Sequence, residues 1–226
     1  MKVRRLKPQM MKRETLKKQV YEYLREEIMN GRIAPGERLI EEKIAKKIEV
    51  SRSPIREAIR LLEKDGLVIV NKRGGVTVFH PDISHFQHLY ECRVELEPAA
   101  AYYAAQRITK EQIRMLRQHL PSKHEICRQY ELKKIHDMNV KFHEGIIEAS
   151  GNPFLIKTIC HLRGINSMYR MAILKRNDLR VELAIEEHFN IFEAIASGCA
   201  DDARRYMREH IESDYKFYVH LYSERK

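Results

Sequence analysis

Two sets of residues in this sequence have types and spacings that can do chemistry. The first is Ser51-Arg52-Ser53-Pro54-Ile55-Arg56, where hydroxyls and guanidinium groups gather at the start of a helical period. Ile55, Ala58, Ile59 and Leu62 recur at i, i+3, i+4 and i+7 and form a buried stripe, so Arg52, Ser53, Arg56 and Arg60 project away from it. An arginine can meet guanine O6 and N7 with two hydrogen bonds, and serine suits phosphates or base edges. The second set is Asn139, His143, His188 and His210. Asn139 and His143 stand four apart and share a helix face, and one histidine from each of two further helices could join them around a single metal ion. The same spacing fits histidines hydrogen-bonded inside a core, and spacing alone leaves both readings open.

The elements that must position the first set are short. In Glu41 to Ile48, the residues Ile44, Ala45 and Ile48 make one buried face while Glu41, Glu42, Lys43, Lys46 and Lys47 stay wet. A turn at Glu49 and Val50 leads to Ser51 or Ser53 as helix N-cap, and Pro54 is tolerated because a first turn leaves its missing N–H unpaired anyway. The pair reads as a helix-turn-helix, whose second helix lays its N-terminal residues into the DNA major groove. Gly66 suits the end of that helix. Leu67 to Val70 and Val76 to Phe79 then read as two β-branched strands around Asn71-Lys72-Arg73-Gly74-Gly75, a cationic wing with Lys72, Arg73 and Gly74 at its tip. Upstream, Leu16, Val20, Tyr23, Leu24 and Ile28 recur at helical spacing.

Pro81 stops the second wing strand and Asp82 or Ser84 can cap the next helix, so residues 81–83 read as a hinge. Strand signals vanish beyond it. Helices are expected at about 83–106, 109–128, 131–149, 153–174, 180–197 and 200–224, giving an all-α antiparallel bundle over 84–226. The net charge of +10 divides unevenly: residues 1–80 carry 20 Lys/Arg against 11 Asp/Glu, or +9, and the rest carry 22 against 21, or +1. A phosphate-bearing partner for the first part accounts for that asymmetry. Residues 1–13 form a basic arm, expected to be flexible. Four widely spaced cysteines without a CxxC make a disulfide framework or zinc ribbon a poor fit, and buried thiols are the expectation. The absence of a run of about 18 apolar residues, and of a signal-peptide core, points to a cytoplasmic protein without a membrane span.

The runs Asn30-Gly31-Arg32-Ile33-Ala34-Pro35-Gly36-Glu37-Arg38-Leu39, Val50 to Ala58 and Asp65-Gly66-Leu67-Val68 resemble the winged-helix domain of the GntR family of bacterial transcription regulators, over about residues 14–80. Asn139-Val140-Lys141-Phe142-His143, the stretch Ala149 to Leu155, Glu187-His188, and Ala203, Met207, His210 and Ile211 resemble the FCD effector domain of the FadR-type subfamily, as does the pattern Arg93, Leu96-Glu97, Ala100-Ala101, Ala104-Ala105. The resemblance implies a divalent metal such as zinc or nickel, held by Asn139, His143, His188 and His210. Many relatives have Asp where this chain has Asn139, and a neutral amide oxygen is the weaker ligand. It further implies a homodimer on an inverted-repeat operator of double-stranded DNA and a small carboxylate effector, most commonly with repression that the effector relieves. Arg93 lies on the apolar stripe of Leu89, Leu96 and Ala100, where an unpaired charge would cost several kcal/mol. Its partner is either the effector carboxylate or Glu97 one turn on. The competing reading, a metal-dependent hydrolytic enzyme fused to a DNA-binding domain, lacks a general base beside the site, since Asp137 points elsewhere on its helix.

Overall fold

The structure, a computed structural model, describes residues 13–80, 82–121, 132–174 and 178–223. Residues 1–12 of the expected basic arm, Pro81 of the expected hinge and the end of the helix expected to reach residue 128 lie outside them. By contacts the chain divides into two units, residues 1–81 with 161–168, and 82–160 with 169–226.

In the first unit the helical spacings become α1 (Arg13–Met29), α2 (Glu41–Ile48) and α3 (Arg52–Lys64). Val20, Leu24 and Ile28 of α1 and Ile55, Ile59 and Leu62 of α3 are buried, and α1 packs on α3. The turn between α2 and α3 is made by Glu49, which takes a left-handed conformation at φ 58°, while Val50 N–H reaches back 3.1 Å to the Ala45 carbonyl. Ser51 is the N-cap by its extended backbone, although its hydroxyl makes no cap hydrogen bond. Strands β2 (Val68–Val70) and β3 (Val76–Val78) form the wing hairpin, with Ile69 opposite Thr77. A third strand, β1 (Arg38–Leu39), completes an antiparallel sheet in the order β1-β3-β2. Two residues are too few to show alternation, so β1 was not expected. It exists because Gly36, at φ 82°, turns the chain onto β3 and donates to the Val78 carbonyl.

Among the described residues the second unit contains only helices: α4 (Ile83–Arg107), α5 (Lys110–Arg117), α6 (Leu132–Ala149), both ends of α7 (Pro153–Leu174), whose residues 161–168 group with the first unit, α8 (Asp178–Ala196) and α9 (Ala200–Ser223). Asp82 caps α4 by accepting from His85 N–H at 2.8 Å. Helix α4 packs against α9, α6 and α8. Their shared core contains Phe142, Ile146, Ile191, Ile195, Met207 and Ile211, with Ala101 and Ala104 letting α4 approach closely. The winged helix-turn-helix followed by a helical bundle is therefore the architecture that the periodicities imply. Helix α5 ends at Arg117, well short of the expected residue 128. The N–H groups of Gln118, His119 and Leu120 reach back only three residues, and Pro121 has no N–H with which to continue. Cys92, Cys160 and Cys199 are exposed rather than buried, because each falls on the outer face of its segment. Among the described residues no helix is long and apolar enough to cross a membrane.

Candidate functional site

The N-terminus of α3 presents Ser51, Arg52 and Arg56 to solvent, with Ser53 half-buried. The two guanidinium groups share one acceptor: Glu41 Oε2 on α2 accepts from Arg52 Nη2 at 3.2 Å and from Arg56 Nε at 2.8 Å. Glu41 was expected to be simply solvated, yet it is half-buried and holds both arginines one turn apart on the same face. Exposed pairs of this kind add little stability, so their effect is on orientation. At the wing, Asn71 Oδ1 accepts from Arg73 N–H at 3.0 Å and Gly75 N–H at 2.8 Å, and Gly74 supplies φ 78°. The tip residues Lys72, Arg73 and Gly74 are all exposed.

The second unit brings together residues far apart in sequence. His143 of α6, His188 of α8 and His210 of α9 are at most 4 % exposed, and one ligand atom from each lies within 4.8 Å of the other two. Acidic groups orient the rings. His143 Nδ1 donates to Glu97 Oε2 at 2.7 Å and His210 Nδ1 to Glu187 Oε2 at 2.6 Å, so the neutral His143 ring carries its lone pair on Nε2. His143 Nε2 lies 3.3 Å from His188 Nε2, and the buried His210 Nε2 makes no hydrogen bond among the described residues, with Asp214 Oδ2 3.8 Å away. Asn139, one turn before His143, is half-buried, and its Oδ1 accepts from Arg170 Nη1. Arg93 forms the internal ion pair, Nε to Glu97 Oε1 at 2.6 Å, and its buried Nη2 makes no hydrogen bond among the described residues.

Sequence reasoning missed the charged frame around these histidines: Arg170 on α7, Arg180 and Glu187 on α8, and Asp214 on α9. Arg180 Nη2 donates to Glu187 Oε2 at 2.8 Å and to Asp214 Oδ1 at 2.7 Å. Two signals were there to read. Arg170 stands in the apolar run Met168-Tyr169-Arg170-Met171-Ala172, much as Arg93 stands on its stripe, and Asp214 lies one turn beyond His210.

Burial would raise the Glu97 carboxyl, but Arg93 and His143 outweigh it and hold it well below the usual range. Asp214 is likewise lowered against its burial, by His210 and Arg180. Burial and then Arg170 push His143 down to about 3 despite Glu97, and burial with His210 and His143 pushes His188 well below its ordinary value. Burial and Arg93 lower Arg170 to about 10. The imidazoles of His143 and His188 are thus neutral at pH 7, the form that binds metals. Between the ordinary histidine value of 6.5 and about 3, an unfolded His143 takes up a proton that the folded one refuses. Stability is therefore full above pH 6.5 and is lost as pH falls toward 3, by up to about 1.4 kcal/mol per unit for each such histidine. Urea unfolding at about pH 7.5, 6 and 5 measures this, and a flat profile would contradict it. Beside the centre, Asn139 and His188 border a cavity of about 30 Å³ lined by Ile135, Met138, Val181 and Ile185.

A winged helix-turn-helix with exposed arginines on its second helix, joined to a helical domain with a buried polar centre, defines a DNA-binding regulator. The comparisons agree. The family description "Bacterial regulatory proteins, gntR family" matches residues 16–78 and "FCD domain" matches residues 88–213. The chain is 32 % identical over 209 residues to the uncharacterized HTH-type transcriptional regulator YdhC of Bacillus subtilis, covering 92 % of this chain and 93 % of that one. It is 31 % identical to the Uxu operon regulator of Haemophilus influenzae, covering 84 % and 77 %, and 26 % identical to the HTH-type transcriptional repressor RspR of Escherichia coli, covering 88 % and 87 %. Among solved structures, E. coli McbR/YncC shares the fold with a TM-score of 0.77 at 21 % identity, over 94 % of this chain and all of that one. The chain belongs to the GntR family of bacterial regulatory proteins and carries an FCD domain. These relatives are transcription regulators, not enzymes, which sets aside the hydrolytic reading.

Proposed function

We propose that this chain is a ligand-responsive repressor that binds an inverted-repeat operator as a homodimer and responds to a small carboxylate. Residues 14–80 read DNA and residues 84–226 sense the ligand, with 81–83 as the hinge between them and residues 1–13 as a basic arm. The observation that carries the DNA reading is the pair Arg52 and Arg56, exposed at the start of α3 and held on one face by Glu41. Ser51 and Ser53 suit phosphates or base edges beside them, and Lys72, Arg73 and Gly74 suit the backbone. Helix-turn-helix readers pair their two-fold axis with that of the operator, which supports the dimer. The name of the 26 % identical repressor RspR supports repression.

In the helical domain His143, His188 and His210, with Asn139 as a weaker fourth group, would hold a divalent ion such as zinc or nickel. The donor set fits: the imidazoles of His143 and His188 are neutral, Glu97 sets Nε2 of His143 as an acceptor, and Glu187 holds Nδ1 of His210. The buried Nε2 of His210, which makes no hydrogen bond among the described residues, points the same way. When bound, such an ion supplies a Lewis-acidic point for an anionic oxygen. The buried Nη2 of Arg93 is the donor proposed for the effector's carboxylate, while its Nε stays on Glu97.

The test is binding to DNA selected from a random pool, at several salt concentrations. Affinity is expected to fall steeply with salt. Arg56→Ala is expected to cost about 1–3 kcal/mol on the selected sequence and little on random DNA, whereas Lys72→Ala weakens both alike. Equal losses for Arg56→Ala on both DNAs would reduce it to a phosphate contact.

A further inference from the structure

A neutral imidazole has one lone pair. His143 donates its Nδ1 proton to Glu97 at 2.7 Å, so that pair sits on Nε2. Arg170, a buried residue of α7, aims its Nη2 at this atom from 2.8 Å, and its Nη1 donates to Asn139 Oδ1. One guanidinium therefore engages two of the four atoms assigned above to a metal, from a helix that carries none of the four. A hydrogen bond and a coordinate bond cannot use the same lone pair, and two cations repel strongly where water is excluded. We propose that Arg170 is a built-in competitor of the metal, a tethered cation that must leave both Asn139 and His143 before an ion can bind there. The proposal rests on the metal reading above.

Leaving is costly for Arg170. Of the two carboxylates that attract it, Glu97 already holds Arg93 through Oε1 and His143 through Oε2, and Asp214 holds Arg180. A buried guanidinium released from its acceptors needs new ones, and whatever that costs is subtracted from the affinity for metal. A purely structural Arg170, present only to satisfy two buried acceptors, makes the opposite prediction. Its removal would loosen Asn139 and His143, and metal affinity would stay level or drop.

Titration of the full-length, chelator-stripped chain with Ni²⁺ by calorimetry separates the two. Arg170→Met keeps an unbranched stem and removes the charge and all donors, and it is expected to bind Ni²⁺ at least about tenfold more tightly than wild type. Arg170→Gln, shorter and also uncharged, is expected to shift affinity in the same direction and replaces the Met variant if that one lacks native circular dichroism. His188→Ala should abolish binding in either background. Tighter binding by the variants, or binding by them alone, supports the proposal. Equal or weaker binding by a folded variant, with wild type still binding, overturns the competition and leaves the metal reading standing. No binding by wild type or either variant overturns both. A Ni²⁺-loaded crystal structure of the wild type is expected to show Arg170 withdrawn from His143 Nε2, and a guanidinium still within hydrogen-bond reach would overturn the competition.

Discussion

Replacing Glu97 by alanine is expected to lower the unfolding free energy by about 3–5 kcal/mol, the range for removing one partner of a buried ion pair. Glu97 is 3 % exposed and serves two groups at once, Arg93 at 2.6 Å and His143 at 2.7 Å. Without it the Arg93 guanidinium stays buried with its ion-pair partner gone and only the weaker attraction of Asp214 left, and His143 loses the acceptor that fixes its ring. Glu97→Gln keeps the shape and one acceptor oxygen, so its cost should fall between alanine and wild type. Glu95→Ala is the control, since Glu95 meets Arg208 at 3.1 Å on the surface, where solvent screens the pair. Urea unfolding monitored by circular dichroism makes the comparison. A Glu97→Ala chain as stable as the Glu95→Ala chain would show that the buried pair contributes nothing net.

His188→Ala is expected to strip the helical domain of its metal while the chain still binds DNA. His188 is buried and its Nε2 lies 3.3 Å from that of His143, whereas α3 and its arginines pack within the other unit. Wild type should retain about one ion per chain. An ion present at roughly 100 to 1,000 times its dissociation constant stabilises the fold by roughly 2.7–4.1 kcal/mol, which for a chain of this size is roughly 5–15 °C in melting temperature. Chelation should therefore lower the melting temperature of wild type by that amount and leave His188→Ala unchanged. Asn139→Ala should lose less, because an amide oxygen is a weaker ligand and this one serves Arg170. Metal analysis and thermal melts check all three chains. Equal metal content in wild type and His188→Ala would remove His188 from the site.

What the sequence determined by itself was local. The stripe of Ile55, Ala58, Ile59 and Leu62 settles which side of α3 is buried, and so leaves Arg52 and Arg56 outside. Asn71 and Gly74 suffice for the wing turn, and Asn152 caps α7 at 3.1 Å from Phe154 N–H, so the hairpin and most helix boundaries were readable. The identity of the family was readable too, from runs of residues that these same elements require. Tertiary structure decided the rest. Glu41 reaches Arg52 and Arg56 across 11 and 15 positions, β1 exists only because β3 is there to pair with it, and the histidines meet Arg170 only where α4, α6, α7, α8 and α9 come together. An arginine on an apolar stripe announces that it is buried, as Arg93 and Arg170 both do, but not which acceptor it will find. Periodicity encodes the buried face of one helix, whereas the partner across that face is set by how several helices interlock to fill a common core, a property of the whole packing and of no single stretch.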